Sequence, residues 1–279
     1  MSKVYPFSAF LILFIFLCQC KKSPDTEICG LIETKENDPQ HLKVLFIGNS
    51  HTYTYSIPES IHSMAESGGD SLEFEQSAPG GFDLEQHFYF LPTLQAINSR
   101  NWDYVVLQES GWRTALPDDM AETMVYAFAD SLAEIIYANS SSTEILLFMT
   151  QGYREGVLSF GDEQWCENDP AVCTYEGMQH RIHRTYLRLS ENLDADLAPA
   201  GAIWKIFMDE YEDIPVYQAD GIHANPEGSY LSACVIYSML YRKKPEGGFI
   251  PAAVNSEDAA KIQATVSDAL FHCNPDWRL

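Results

Sequence analysis

Apolar and polar residues succeed one another in short blocks along this chain. Residues 43–48 form an apolar run, Lys43-Val44-Leu45-Phe46-Ile47-Gly48, that gives way abruptly to Asn49, Ser50 and His51. Such a run reads as a buried strand with a polar carboxyl end. Ile57, Ile61 and Met64 then keep helical spacing, with Ser56 placed to cap, Pro58 in the first turn and Gly68-Gly69 as the stop. Ser71–Ser77 alternates Leu72 and Phe74 with Glu73 and Glu75, which predicts a strand with one wetter face near a sheet edge. After the turn Pro79-Gly80-Gly81, Asp83 is placed to cap one helix carrying Leu84, Phe88, Leu91 and Leu94. Residues 103–108 and 144–150 are two more apolar strands, separated by an amphipathic helix over 120–138. Tyr175–Leu193 reads as a helix, 194–200 as a short strand and 203–210 as a short helix. Pro226–Tyr241, capped by Asn225, and Ser256–Phe271 are the last helices.

Strands alternating with helices, and no strand-to-strand hairpin signal, predict a parallel sheet covered by helices on both faces. Crossovers should be right-handed. No internal repeat or linker divides residues 41–279, which read as a single α/β domain. It carries one acidic, glycine-containing insertion at residues 151–174, and a loop of that length is usually functional or disordered.

The first residues have a different character. Lys3 precedes an almost wholly apolar run over 7–17, and then come Cys18-Gln19-Cys20-Lys21-Lys22. A basic start, a short apolar core and a small-residue exit describe an export signal over residues 1–20, too short for a membrane span. The end of that segment resembles a bacterial lipoprotein cleavage site, with Cys20 as the lipidated residue. Residues 21–40, polar and without period, read as a tether. Location outside the cytoplasm, with membrane contact only through the lipid, is the expectation.

Composition changes this picture in two ways. Forty Asp and Glu against 17 Lys and Arg give a formal net charge of -23, which repels phosphate backbones and argues against a nucleic-acid partner. Export changes the reading of the cysteines: Cys166 and Cys173, in one polar loop, are the candidate disulfide. Cys234 falls in an apolar helical pattern and reads as a buried thiol. Cys29 and Cys273 flank the domain, and the sequence does not decide whether they pair. Cys166, Cys173, His180 and His183 also suggest a zinc site, but the cysteine spacing is wide for one and export favours the disulfide. No metal or cofactor is expected.

A serine at the carboxyl end of a strand sits where open parallel sheets place their ligands. It becomes a nucleophile only with a base to take its proton. Asp220-Gly221-Ile222-His223 supplies a candidate, in a loop just before the helix opened by Asn225-Pro226. The two-residue spacing lets one turn present both side chains together, so that an ionised Asp220 holds the tautomer of His223 while the other ring nitrogen faces Ser50. The plainer alternative is a loop-capping Asp220 and a surface His223. His51, adjacent to Ser50, points away from it on an extended chain and is a poor base.

With these residues in view, the chain resembles the SGNH or GDSL-type serine hydrolases. Gly48-Asn49-Ser50 is similar to the Gly-Asp-Ser block of that family, and Asp220 and His223 match its Asp-x-x-His block. Pro79-Gly80-Gly81-Phe82-Asp83-Leu84 resembles its second block, with Gly81 in place of the glycine whose N–H joins the oxyanion hole. The third block, Gly-x-Asn-Asp, is missing. The equivalent strand ends in Leu107-Gln108-Glu109-Ser110-Gly111, where Gln108 offers either an amide donor for that role or a structural hydrogen bond. The resemblance implies a flavodoxin-like, three-layer α/β/α fold with a parallel sheet of about five strands. It also implies an esterase in which Ser50, His223 and Asp220 act as the triad and Ser50, Gly81 and Gln108 hold the oxyanion. Family analogy alone points to a small-molecule or glycan ester, such as a carbohydrate acetyl ester, as substrate. A non-catalytic binding lipoprotein on the same scaffold, or an acyltransferase, are the alternatives.

Overall fold

The structure, a computed structural model, describes residues 40–160 and 163–272. The export segment with Cys20, nearly all of the tether, and Cys29 and Cys273 lie outside the described residues. Five strands form one parallel sheet: β1 His41–Ile47, β2 Ser71–Ser77, β3 Tyr104–Leu107, β4 Glu144–Phe148 and β5 Asp196–Ala198. Their spatial order is β2-β1-β3-β4-β5, so the chain steps from β1 to one side and then crosses back to the other. Ile47 pairs with Ser77 on one flank and with Leu107 on the other. The carboxyl ends of β1 and β3 are therefore the topological switch point, where loops diverge and leave a crevice.

Eight helices cover the sheet: α1 Ile57–Ser67, α2 Leu84–Tyr89, α3 Leu91–Asn98, α4 Ala127–Asn139, α5 Tyr175–Leu193, α6 Ala200–Glu210, α7 Pro226–Tyr241 and α8 Ser256–Phe271. Because strand side chains alternate faces, Val44 and Phe46 of β1 join one apolar layer while Leu45 and Ile47 join the other. The first layer packs against Ile61 of α1, Trp204 of α6, Leu231 and Val235 of α7 and Val266 of α8. The second packs against Ile97 of α3, Leu132 of α4 and Ile182 and Tyr186 of α5. The result is a three-layer α/β/α sandwich. Helix α7 is buried around its whole circumference from Gly228 to Tyr241, as a helix enclosed by α1, α6, α8 and the sheet must be.

The local pattern differs from expectation in four places. The single helix expected after Asp83 is two, α2 and α3, broken at Phe90, because Pro92 in the first turn of α3 cannot continue a preceding helix. Asp83 does cap α2, in a reciprocal capping box with Gln86. Ser56 precedes α1 in the left-handed region, φ 54°, and its side chain makes no capping bond. The helix expected over 120–138 opens with a helical turn, Asp118–Ala121, and a π-helical turn, Glu122–Tyr126, before α4. The insertion at 151–174 is structured: an extended stretch Arg154–Val157, a short helix Glu163–Asn168 and a 3-10 turn Pro170–Cys173. The structure joins Cys166 to Cys173, with their Cα atoms 5.6 Å apart, and Asp169 between them pairs with Arg181 of α5. Cys234 is a buried free thiol. Among the described residues no helix is long and apolar enough to cross a membrane.

Candidate active site

The turn after β1 is built around a close contact. A Cβ on Gly48 would lie 2.5 Å from Gln108 Oε1 and 2.4 Å from Thr52 Oγ1, so only glycine lets these groups meet there. Gln108 Oε1 accepts from the Asn49 N–H and from Thr52 Oγ1, each at 2.9 Å, while its Nε2 donates to Glu109 O at 2.7 Å. The backbone partners fix the orientation of this amide, because an N–H needs an acceptor and a carbonyl a donor. Gln108 is therefore a buried brace that holds the turn. Its amide N–H groups do not line the crevice, which corrects its assignment as the third oxyanion donor: the fully enclosed site at the strand end gives the amide three protein partners before any substrate arrives.

Asn49 caps the one-turn helix Ser50–Tyr53, accepting from the His51 N–H at 3.0 Å, and donates from Nδ2 to Phe82 O at 2.8 Å. The nucleophile turn and the turn after β2 are thus tied directly. Ser50 stands at the mouth of the switch-point crevice. Its Oγ lies 2.9 Å from His223 Nε2, and His223 Nδ1 lies 2.7 Å from Asp220 Oδ2. Asp220 Oδ1 also accepts the backbone N–H groups of Ile222 and His223, at 2.9 and 3.0 Å. Burial alone would raise the Asp220 carboxyl, but the bonds from the His223 ring and these two N–H groups outweigh it and hold the group below the usual carboxylate range. An ionised Asp220 requires the proton of His223 on Nδ1, which leaves the Nε2 lone pair facing Ser50 Oγ–H.

Hydrogen bonds pin the histidine loop to the segment after β4. Gln151 Nε2 donates to Ile222 O at 3.1 Å, the Arg154 N–H to Gly221 O at 2.7 Å and Tyr217 OH to Gly152 O at 2.5 Å. Gln151 reaches further, since its Nε2 also donates to His51 Nδ1 at 3.2 Å. The Ile222 carbonyl fixes that amide as the donor, so His51 accepts at Nδ1 and carries its proton on Nε2. The His51 ring stacks between Tyr153 and His223, at 6.2 and 5.6 Å between centroids. Burial, reinforced by the neighbouring His223 and opposed by Asp220, pushes His51 down to about 3 and keeps it neutral. It lines the crevice, as a packing partner of the base rather than a second base.

The other wall comes from the turns after β2 and β3. Gly81 has φ 76°, a conformation suited to glycine, and lines the crevice together with Ser50. Glu109 is fully buried and joins the two turns, its carboxyl accepting the Ser110 N–H at 2.5 Å and the Leu84 N–H at 3.3 Å. Burial is the main cause that pushes Glu109 up to about 8; Asp83 adds to it, and the Ser110 and Leu84 N–H groups and Arg113 oppose it. The crevice has a volume of about 460 Å³ and is lined among others by Ser50, His223, Gly81, Ser110, Trp112 and Tyr153. Trp165, from the disulfide-bridged insertion, packs edge-on against Trp112 at 5.7 Å between ring centroids.

Sequence reasoning singled out Ser50, Asp220, His223 and Gly81; Ser50, His223 and Gly81 line one crevice, and Asp220 reaches it only through His223 Nδ1. It passed over Gln151, Ser110, Trp112 and Tyr153. A signal existed for Gln151, a polar residue just past an apolar strand like Gln108. The same signal marked the run Glu109-Ser110-Gly111, just past β3.

No protein-family model and no curated protein sequence matches this chain. Solved structures do. A DUF4886 family protein from Bacteroides uniformis is similar over 85% of this chain and 96% of its own, with a TM-score of 0.68 and 17% identity. A protein from Slackia heliotrinireducens, provisionally assigned as an SGNH hydrolase, is similar over 72% of this chain and 99% of its own, with a TM-score of 0.57 and 22% identity. An acetyl xylan esterase is similar over 71% of this chain and its own full length, with a TM-score of 0.52 and 17% identity. A five-stranded parallel sheet with this order, flanked by helices and aligned with these structures along nearly their whole length, has the fold of the SGNH hydrolases.

Proposed function

We propose that this chain is an exported serine esterase that hydrolyses its substrate through an acyl enzyme on Ser50. The observation that carries this reading is the unbroken chain of contacts from Ser50 Oγ to His223 Nε2 at 2.9 Å and from His223 Nδ1 to Asp220 Oδ2 at 2.7 Å. Both lie within the reach expected of nucleophile, base and orienting acid. Ser50 Oγ attacks the ester carbonyl as His223 Nε2 takes its proton, and the Asp220 carboxylate stabilises the imidazolium that forms. The N–H groups of Ser50 and Gly81 face the oxyanion. Collapse of the tetrahedral intermediate expels the alcohol, which takes the proton back from His223. Water, deprotonated by the same nitrogen, then releases the carboxylic acid and restores Ser50.

The aromatic side chains of Trp112 and the exposed Tyr53 at the crevice suit a sugar ring presented edge or face on. Together with the likeness to an acetyl xylan esterase fold, this favours an acetylated carbohydrate as substrate. Export rests on the leader at residues 1–20, and attachment to a membrane on lipidated Cys20. The test is hydrolysis of p-nitrophenyl acetate by the wild-type chain and by Ser50→Ala. The variant is expected to fall to the background rate, and equal rates would show that Ser50 is not the nucleophile.

A further inference from the structure

We infer that the hydroxyl of Ser110 is the third oxyanion donor, in the place left open by Gln108; this rests on the serine-esterase reading. The parallel register makes the first part of the case. Ile47 of β1 pairs with Leu107 of β3, and Ser50 and Ser110 each stand three residues beyond that pair. Both line the same crevice, as does Gly81. The turn after β2, the turn after β1 and the turn after β3 therefore present Gly81, Ser50 and Ser110 side by side across the switch point.

The second part is that this hydroxyl has nothing else to do. Ser110 is 4% exposed, and its Oγ is buried without a hydrogen-bond partner. It occupies the N-cap position of the helical turn Gly111–Thr114, where a serine ordinarily accepts from the backbone N–H two or three residues on, yet it makes no such bond. Its backbone is fully engaged: the N–H donates to Glu109, and the carbonyl accepts from the Arg113 and Thr114 N–H groups. A buried polar group left unpaired in the resting protein calls for an explanation. A partner that exists only during the reaction supplies one. A rotating hydroxyl can turn its proton toward the oxyanion as charge develops there.

The surroundings agree. Tyr153, which lines the same crevice, is already bonded by the Trp112 N–H. Glu109, adjacent in sequence, is held largely uncharged at neutral pH, so no carboxylate opposes the negative charge that Ser110 would stabilise. When the ester carbonyl becomes tetrahedral, no bond to Ser110 forms or breaks. Its O–H simply donates to the oxyanion and is released when the carbonyl reforms.

The experiment compares wild type, Ser50→Ala, Ser110→Ala and Ser110→Thr on p-nitrophenyl acetate, with Tm measured for each. Removing one oxyanion donor typically lowers kcat by about a hundredfold or more. Ser110→Ala is expected to show that fall with KM within about twofold and Tm unchanged, and Ser110→Thr, which keeps a hydroxyl, to recover at least about tenfold of it. The inhibition constant of benzeneboronic acid, which forms a tetrahedral adduct on Ser50, should rise in parallel. A kcat of Ser110→Ala within threefold of wild type, a loss carried by KM alone, or an unchanged boronate constant would overturn the assignment. Wild-type hydrolysis no faster than Ser50→Ala would instead overturn the esterase reading beneath it.

Discussion

Glu109 should make this protein less stable as pH rises through neutrality. In the folded chain its carboxyl is enclosed between the turns after β2 and β3 and titrates at about 8, against 4.5 for the free side chain. Below pH 4.5 the group is protonated in both folded and unfolded chains and contributes no pH dependence. Between 4.5 and about 8 the folded chain retains a proton that the unfolded chain has lost, so stability falls as pH rises. Above about 8 both states are ionised and the full cost of a buried carboxylate is present. One pH unit of displacement corresponds to about 1.4 kcal/mol, so the whole window amounts to roughly 5 kcal/mol. Glu109→Gln removes the titration while keeping an acceptor for the Ser110 N–H. The assay is urea unfolding of wild type and variant at half-unit steps from pH 5 to 8.5, followed by tryptophan fluorescence. Other groups titrate equally in both proteins, so the difference between the two curves isolates Glu109. That difference should shift in favour of the variant by several kcal/mol across the window. Parallel curves would refute the argument, because they would mean that Glu109 ionises alike in the folded and unfolded chains.

Three further outcomes are expected. Gln108→Ala leaves the Asn49 N–H, Thr52 Oγ1 and Glu109 O without their buried partner and should cost about 3 kcal/mol in urea unfolding, with kcat falling as the nucleophile turn loosens. A large loss of kcat with no loss of stability would return Gln108 to the oxyanion hole. Asp220→Asn can keep the backbone N–H bonds but presents an N–H to His223 Nδ1, forcing the proton onto Nε2; kcat should drop roughly a thousandfold or more, with KM little changed, in steady-state hydrolysis. Replacing both Cys166 and Cys173 with serine opens a loop of sequence separation 7, worth up to about 2.5 kcal/mol in the chain-entropy account. Because Trp165 beside Cys166 packs on Trp112 at the crevice, KM should rise and tryptophan fluorescence change along with Tm.

What was legible in the chain was whatever depends on neighbours in sequence. The run ending at Gly48 needs only its own apolar residues to be a strand, and Asp220 and His223 need only one turn to meet. The helix spacing of Leu84, Phe88, Leu91 and Leu94 was also local, and it misled because Pro92 vetoes continuity whatever the apolar period says. The role of Gln108 was illegible for another reason. The donors to its Oε1 stand 59 and 56 residues away in sequence, and the choice between bracing a turn and facing a substrate is made by packing. The same holds for Gln151, whose bond to His51 spans 100 residues. Nor does a sequence show that burial dominates at Glu109 while at Asp220 it is outweighed by the bonds from the His223 ring and two N–H groups, although that difference sends the two carboxyls in opposite directions.

The bonds that hold the histidine loop to residues 151–154 have a consequence for inheritance and for engineering. The base of the triad is carried on one segment but located by another, and that second segment is the root of the insertion. Variation at the tip, around Trp165 and the disulfide, can retune which molecules enter while the geometry at Ser50 is preserved. Variation at the root moves His223 itself. A chimaera that exchanges the insertion should therefore place its junctions after Arg154, keeping Gln151, Gly152 and Arg154 from the host. Junctions set a few residues earlier would exchange the support of the base along with the specificity element.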